Sequence, residues 1–573
     1  MRAHHEVRCL WGTPRPMYAH LSRRSWLLVA LVATVVWFVN LDGRRLQHPD
    51  EGRYAEIPRE MVATGDWVTP RLNGLKYFEK PALQYWLTAA TYEAFGVSEW
   101  TARVAPALLA WLAVFAIGYA GTRIAGTASG LYAALALGST LWYAGMAQIL
   151  TLDATLAAWL AFALSAFLAA QSAQASAPRA RRLMWLAWAA IAAGVLTKGL
   201  VALVIPGGAL VFYTLATRDF ALWRRLHLVS GLAIVIVLCA PWFVIVSLRN
   251  PEFAWFFFIH EHFQRFLTTE HRRVGAWWYF VPLLIVGLVP WVGLFFWRLP
   301  AAWRARTRES NGFEWQRFCI AWILFVFLFF SMSGSKLPSY ILPLFPAAAL
   351  LIGHQLATVG DRPLRWLLAS LALSSTLVAA AALLGYDALV ARVATPQTPV
   401  AIYVAFAPWV KAGMALLAAG TIAAWLIFRK PSSTRRTVVV IVVSLSMLGA
   451  LQLWLAGNDA FRVTRSAADL VRTLRQGSYD ASAPFYQVRM YDQTLPFYLG
   501  RTTTLVAYRD ELALGLDAEP DKGIATETQW QDRWNALPQG YALMSPGTFD
   551  RLRASVPMRE IARDPRRVLV ARQ

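Results

Sequence analysis

Arg23-Arg-Ser-Trp-Leu-Leu-Val-Ala-Leu-Val-Ala-Thr-Val-Val-Trp-Phe38 is an apolar run behind two arginines, with no Ala-x-Ala cleavage site after it. A helix crosses a bilayer with about 20 mostly apolar residues. The run therefore reads as a spanning helix starting near Ser25, a signal anchor rather than a cleaved signal. Twelve more such runs start near Val104, Ser129, Ala154, Met184, Val201, His227, Trp277, Gln316, Leu337, Leu364, Pro408 and Thr437. Composition agrees. Of 573 residues, 57% are hydrophobic and 15% charged, and the mean hydropathy is +0.43. A soluble protein carries about a quarter charged residues. The 27 tryptophans suit a protein with two membrane interfaces to anchor. The chain is read as a mainly α, polytopic membrane protein of about 13 spans.

The net charge of +22 would suggest nucleic acid in a soluble protein. Here the positive-inside rule accounts for it. With the N-terminus in the cytoplasm, all seven inner segments are basic, for example Arg179/Arg181/Arg182 and Arg429/Lys430/Arg435/Arg436, and the short outer loops are nearly free of cations. No nucleic-acid partner is expected. Cys9, Cys239 and Cys319 are scattered and form no CxxC or disulfide framework.

Three long segments then lie outside: 42–103, 249–276 and the tail. Residues 1–456 make the membrane domain. Residues 457–573 regain soluble composition and read as a small α/β domain. Strand-like runs occur at Phe485–Tyr491, Thr504–Tyr508 and Val568–Ala571, and helical ones at Ser466–Arg475 and Glu527–Leu537. An odd span count places this tail on the outer side.

The spans are nearly clean of charge, whereas intramembrane function usually shows as buried charge. The unusual charges gather at the outer boundary. His48-Pro-Asp50-Glu51-Gly-Arg53-Tyr54-Ala-Glu56-Ile-Pro-Arg59-Glu60-Met61 reads as a helix. Tyr54, Ile57 and Met61 share a face, and Gly65 fits the stop. Asp50 takes the N-cap, and its neighbour Glu51 makes an acid pair just after the first span. Next, Pro81 to Phe95 reads as an amphipathic interfacial helix with Leu83, Trp86, Leu87 and Ala90 on one face. Pro81 at its first position would put Lys80 at the helix N-terminus, where the dipole disfavours a cation unless an anion such as phosphate binds. Lys198 and Lys336 repeat this oddity. Each lysine alone could be a snorkelling anchor. Together they point to phosphate on a lipid. Asp153 begins the fourth span, as a cap or as a polar group facing the same cavity. In the second outer loop, His260-Glu261-His262 is not HExxH. His260 and His262 with Glu79 could still hold a divalent ion such as zinc. A P-loop and a GxGxxG behind a strand are both missing, so a nucleotide-sugar donor is unsupported.

Arg53-Tyr-Ala-Glu-Ile-Pro-Arg-Glu-Met61, Tyr77-Phe-Glu-Lys-Pro81, Thr197-Lys-Gly199, Glu261-His262 with Gln264-Arg265-Phe266, Lys336-Leu-Pro-Ser-Tyr-Ile-Leu-Pro343 and Met490-Tyr-Asp-Gln-Thr-Leu-Pro-Phe-Tyr-Leu499 together carry a resemblance. The chain resembles the GT-C glycosyltransferases that use polyprenyl-phosphate sugars, and within them the bacterial 4-amino-4-deoxy-L-arabinose (L-Ara4N) lipid A transferases, relatives of the protein O-mannosyltransferases. The resemblance implies a 13-span GT-C fold in the bacterial inner membrane with a periplasmic active site. It implies an undecaprenyl phosphate–L-Ara4N donor and a lipid A acceptor, giving polymyxin resistance. Asp50 would be the essential acid, with Asp153 the second candidate. Arg53, Tyr54, Tyr77, Lys80, Lys198, Arg265, Lys336 and Tyr340 would bind the donor phosphate and substrate. The chemistry itself needs no cofactor. Glu79-Lys80-Pro81-Ala82 stands where the protein O-mannosyltransferases carry a His-Pro-Pro type motif, which argues against a protein acceptor. The alternatives are transfer of another sugar to a glycolipid or protein, and a lipid flippase. The flippase would need charges along a path through the spans.

Overall fold

The computed structural model describes residues 22–264, 275–305, 309 and 311–572, with only the backbone of 23 and 262–264. Each of the thirteen expected spans falls on a helix or a broken pair of helices. Among the described residues, eight helices are long and apolar enough to cross a membrane alone, and a bent pair makes a ninth. The remaining expected spans are shorter, broken or arginine-rich at one end, such as Thr127–Ser139, Val201–Thr217 and Ala177–Lys198. The run near Trp277 is not one straight helix. Phe280–Gly287 and Val292–Arg304 meet at 106°. Pro290 lies between them, where its missing N–H and its ring end a helix.

Helices in lipid pack through small residues that let backbones approach. Glu99–Ala125 meets Thr127–Ser139 in this way: a Cβ on Gly130 would lie 2.3 Å from the Gly118 carbonyl oxygen. Cys239 and Cys319 are buried core residues, and Cys9 lies outside the described residues.

Helix Asp50–Thr64 ends at Gly65, whose φ of 70° is left-handed and whose N–H bonds to Met61. Tyr54, Ile57 and Met61 are buried on the expected face. Two expectations need correction. Pro49, not Asp50, holds the N-cap position, and no side chain caps the helix end. The next helix begins at Leu83, with Ala82 as its cap, so Lys80 stands three residues before it. That helix shows Leu83, Trp86, Leu87 and Ala90 outward, half-buried or exposed, and turns Gln84, Tyr85 and Thr88 inward. An apolar outer face is what an interfacial helix requires.

The tail folds around a six-stranded sheet in the order Gly523–Ile524, Thr504–Val506, Phe485–Val488, Tyr541–Met544, Val568–Arg572, Met558–Arg563. The first four strands run parallel, Val568–Arg572 runs antiparallel to Tyr541–Met544, and Met558–Arg563 runs antiparallel to Val568–Arg572. Parallel strands are covered on both faces and read as continuous apolar runs. Phe485 and Leu543 accordingly pack under helix Ala468–Gln476, while Tyr486 and Val488 pack under Trp530 and Trp534.

The tail is locked to the segment between the first two spans. Ile57, Met61 and Leu72 share a core with Tyr491, Phe497 and Leu505. Asn73 exchanges hydrogen bonds with the Thr503 backbone at 2.7 and 2.8 Å. A Cβ on Gly52 would come 2.6 Å from the Gln493 carbonyl carbon, so only glycine lets the Asp50–Thr64 helix approach the tail here.

Candidate active site

A cavity of about 330 Å³ opens at the ends of helices Leu152–Gln171, Ala177–Lys198 and Val201–Thr217. Its polar lining is Glu79, Lys80, Asp153, Lys198, Glu261, Ser333, Ser335 and Tyr340. Its apolar wall includes Leu156, Val204, Phe329 and Phe330. The geometry joins five expected residues, Glu79, Lys80, Asp153, Lys198 and Tyr340, from parts of the chain far apart in sequence.

Both lysines already face carboxylates. Lys198 pairs with Asp153, and Ser339 Oγ donates to the same carboxylate at 2.9 Å. Lys198 Nζ also sits 4.8 Å from the Tyr340 ring centroid, a cation–π contact. Lys80 Nζ lies 2.9 Å from Glu261 Oε2 and 3.9 Å from Glu79 Oε2. A phosphate entering this cavity would therefore compete with carboxylates for the two ammonium groups. Lys336 is placed differently. Its Nζ donates to the Ser331 and Ser333 carbonyls at 2.9 and 2.7 Å, closing the end of helix Trp315–Met332. Burial lowers its ammonium below the usual range.

Beside the cavity lies a second cluster. Arg53 is held between Asp50 at 3.0 Å and Glu511 of the tail at 2.5 Å. Burial raises the Glu511 carboxyl against the pull of Arg53, and nearby Glu79 adds to the rise. Glu79 also acts electrostatically on Tyr54, Tyr77 and Tyr85, which makes it the link between the cluster and the cavity. The buried hydroxyls of Tyr77 and Tyr85 have no hydrogen-bond partner among the described residues. Buried polar groups are otherwise almost always satisfied, so two such phenols beside a charged cavity suit a polar ligand. The Asp50 side chain is 41% exposed, against 9% for Arg53.

Glu51, adjacent to Asp50, does different work. It accepts Arg103 Nε at 2.7 Å and Arg103 NH2 at 3.0 Å, and also the Leu150 and Gln47 amides. It thereby ties the loop to two spans.

Glu511, Glu261, Tyr85 and Ser339 were not singled out from sequence. Glu261 and Ser339 stood inside quoted motifs, but Glu511 had no signal, because its partner Arg53 is 458 positions away. Arg265 and the His262 side chain lie outside the described residues. The expected metal set of Glu79, His260 and His262 is thus only part-described. His260 stacks on Phe256 at 4.9 Å and lies 3.7 Å from Glu261. Among the described residues no three His, Cys, Asp or Glu side chains gather to hold a metal.

With this geometry in hand, the comparisons fall into one pattern. Residues 24–257 match the family model described as dolichyl-phosphate-mannose-protein mannosyltransferase. Residues 470–572 match the aminoarabinose transferase C-terminal domain. The chain is 32% identical over 341 residues to an undecaprenyl phosphate-alpha-4-amino-4-deoxy-L-arabinose arabinosyl transferase of Edwardsiella ictaluri, covering 59% of this chain and 60% of that one. It is 35% identical to that of Pseudomonas aeruginosa, covering 58% and 60%. The aligned stretch is thus about three fifths of each curated relative's length. A crystal structure of ArnT from Cupriavidus metallidurans bound to undecaprenyl phosphate superposes with a TM-score of 0.89 at 39% identity, over 96% of this chain and 98% of that one.

Proposed function

The chain belongs to the ArnT family of GT-C membrane glycosyltransferases, and from that premise we propose that it transfers L-Ara4N from undecaprenyl phosphate to a lipid A phosphate. The observation that carries this reading is the likeness along almost the whole chain to a protein whose structure holds undecaprenyl phosphate. The cavity suits such a donor: its lining combines charged groups with the apolar Leu156, Val204, Phe329 and Phe330.

In the proposed reaction, the bond between the anomeric carbon and the donor phosphate oxygen breaks, and undecaprenyl phosphate leaves. An oxygen of the acceptor phosphate forms the new bond. Positive charge builds on the sugar and negative charge on the leaving phosphate. Lys80, released from Glu261, would meet that phosphate, with Arg53 and Lys198 adding positive potential and Tyr77 and Tyr340 bounding the site. The acceptor phosphate is already anionic, so no strong base is needed. Asp50 would orient the acceptor or steady the cationic sugar centre, and Asp153 would set the position of Lys198. The donor is pre-activated, so no cofactor takes part in bond making.

The test is expression in a bacterium lacking its own transferase. The protein should restore polymyxin resistance and add the L-Ara4N mass to lipid A. Lys80→Ala should fail, losing about 2–4 kcal/mol of barrier lowering. A well-inserted wild type that adds no mass would rule out this substrate pair.

We place the protein in the inner membrane with residues 457–573 and the cavity in the periplasm, because the arginine-rich loops lie at the opposite helix ends. Alkaline phosphatase fused after Gln573 should be active. An inactive fusion at normal expression would reverse this orientation.

A further inference from the structure

Far from the candidate active site, the same helices carry two further cavities. Asp153 and Lys198 stand at one end of Leu152–Gln171 and Ala177–Lys198. At the other end, roughly 30 Å away along a 20-residue helix, a cavity of about 570 Å³ is lined by Arg181, Arg224, Arg225, His227 and Asn311. Met184 lines this cavity and also a narrower one of about 130 Å³. The narrower one runs deeper between the spans and is walled by Trp188, Gly207, Trp223, Phe318 and Trp322.

The charges at the wider cavity are arranged asymmetrically. Arg225 is engaged by Asp219 at 2.8 Å and by the Asn311 carbonyl at 2.9 Å. Glu309 accepts the Ala173 amide at 2.7 Å. Arg181 lies over the Trp185 ring at 5.3 Å. Arg181 and Arg224 have no carboxylate partner among the described ion pairs and are exposed. Among the described residues, three arginines against two carboxylates leave one positive charge in excess. Basic pockets between helices at this side of a membrane take anionic lipid headgroups. Trp185, under Arg181, suits the interfacial depth of such a headgroup.

We propose that the two cavities form one site for an anionic phospholipid of the leaflet facing the arginine loops. The phosphodiester meets Arg181 and Arg224, and one acyl chain enters the slot past Met184. An uncharged lipid gives no role to the arginines, and inorganic phosphate gives none to the slot. The site braces the far ends of the two helices that carry Asp153 and Lys198. It is separate from the donor cavity, with which the two cavities share no lining residue.

The slot can be filled without a clash, because a Cβ on Gly207 meets nothing within 4 Å. Delipidated protein in mild detergent is titrated with phosphatidylglycerol or phosphatidylcholine of the same chains and read by native mass spectrometry. Wild type should prefer phosphatidylglycerol by at least about tenfold, on the order expected for two arginines near a phosphate. The Arg181→Ala/Arg224→Ala protein should lose the preference, and Gly207→Leu should weaken both lipids. Melting temperatures check that each variant is folded, and Gly207→Leu decides alone if the double variant is not. Equal retention of the two lipids by wild type, an unchanged preference in the folded double variant, or unaltered binding by folded Gly207→Leu would overturn the proposal. Displacement of the lipid by undecaprenyl phosphate would also overturn it, by assigning the slot to the donor's tail.

Discussion

Asp50→Asn is expected to leave the protein folded and to lower sugar transfer by about 10²- to 10³-fold, the loss seen when one preorganised charge-stabilising group is removed. The substitution keeps the shape of the side chain and deletes its charge. Stability has little to lose. No side chain caps this helix end, so the capping role that the sequence offered for Asp50 falls away. The remaining tie is the pair with Arg53 at 3.0 Å, with the Asp50 side chain 41% exposed. With its acid open to solvent, such a pair contributes about 1 kcal/mol, and a first-turn acid adds a similar amount through the helix dipole. Arg53 keeps Glu511 as a partner. Transfer to lipid A in detergent, measured beside thermal melting, separates the two effects. A folded variant with the full rate would move the essential acid elsewhere. Asp153, facing the cavity between Lys198 and Ser339, would be the next to test.

Much of the membrane part was legible because lipid imposes a simple rule: a span must be apolar over a fixed length. Each expected run falls on helix for that reason. Hydropathy does not register a bend, so the 106° break around Pro290 read as one span. In the tail, Phe485–Val488, Thr504–Val506 and Val568–Arg572 were legible as apolar runs. Met558–Arg563 was not, because an edge strand shows a mostly exposed, mixed pattern. Lys80, Lys198 and Lys336 stood out because cations on the side expected to be outer defy the charge rule. Lys80 and Lys198 do line one cavity, but Lys336 bonds to carbonyls instead. A lone cation in sequence does not say whether its partner is a ligand or the backbone. Glu511 was invisible for a related reason, since only the docking of the tail onto the first loop brings it to Arg53.

The neighbouring acid should behave in the opposite way. Glu51→Gln is expected to cost about 3–5 kcal/mol of stability while leaving the rate per folded molecule near that of wild type. Glu51 is 3% exposed and pairs with Arg103, which is fully buried. Arg44, also buried, lies 3.8 Å away. A neutral glutamine would leave two buried guanidinium groups without their counter-charge, which costs far more than an exposed pair contributes. No Glu51 atom lines the cavity, so catalysis should be spared. The acid range gives an independent reading. Burial alone would raise this carboxyl, but Arg103 and Arg44 hold it down at about 2, against an ordinary 4.5. A carboxyl with a lowered folded value contributes stability above its unfolded value and loses it as pH falls towards the folded one. Wild type should therefore lose melting temperature between about pH 4.5 and 2 by more than Glu51→Gln does, because the variant lacks the group that titrates. Parallel melting curves for the two proteins across that window would show that Glu51 does not hold the loop to the spans.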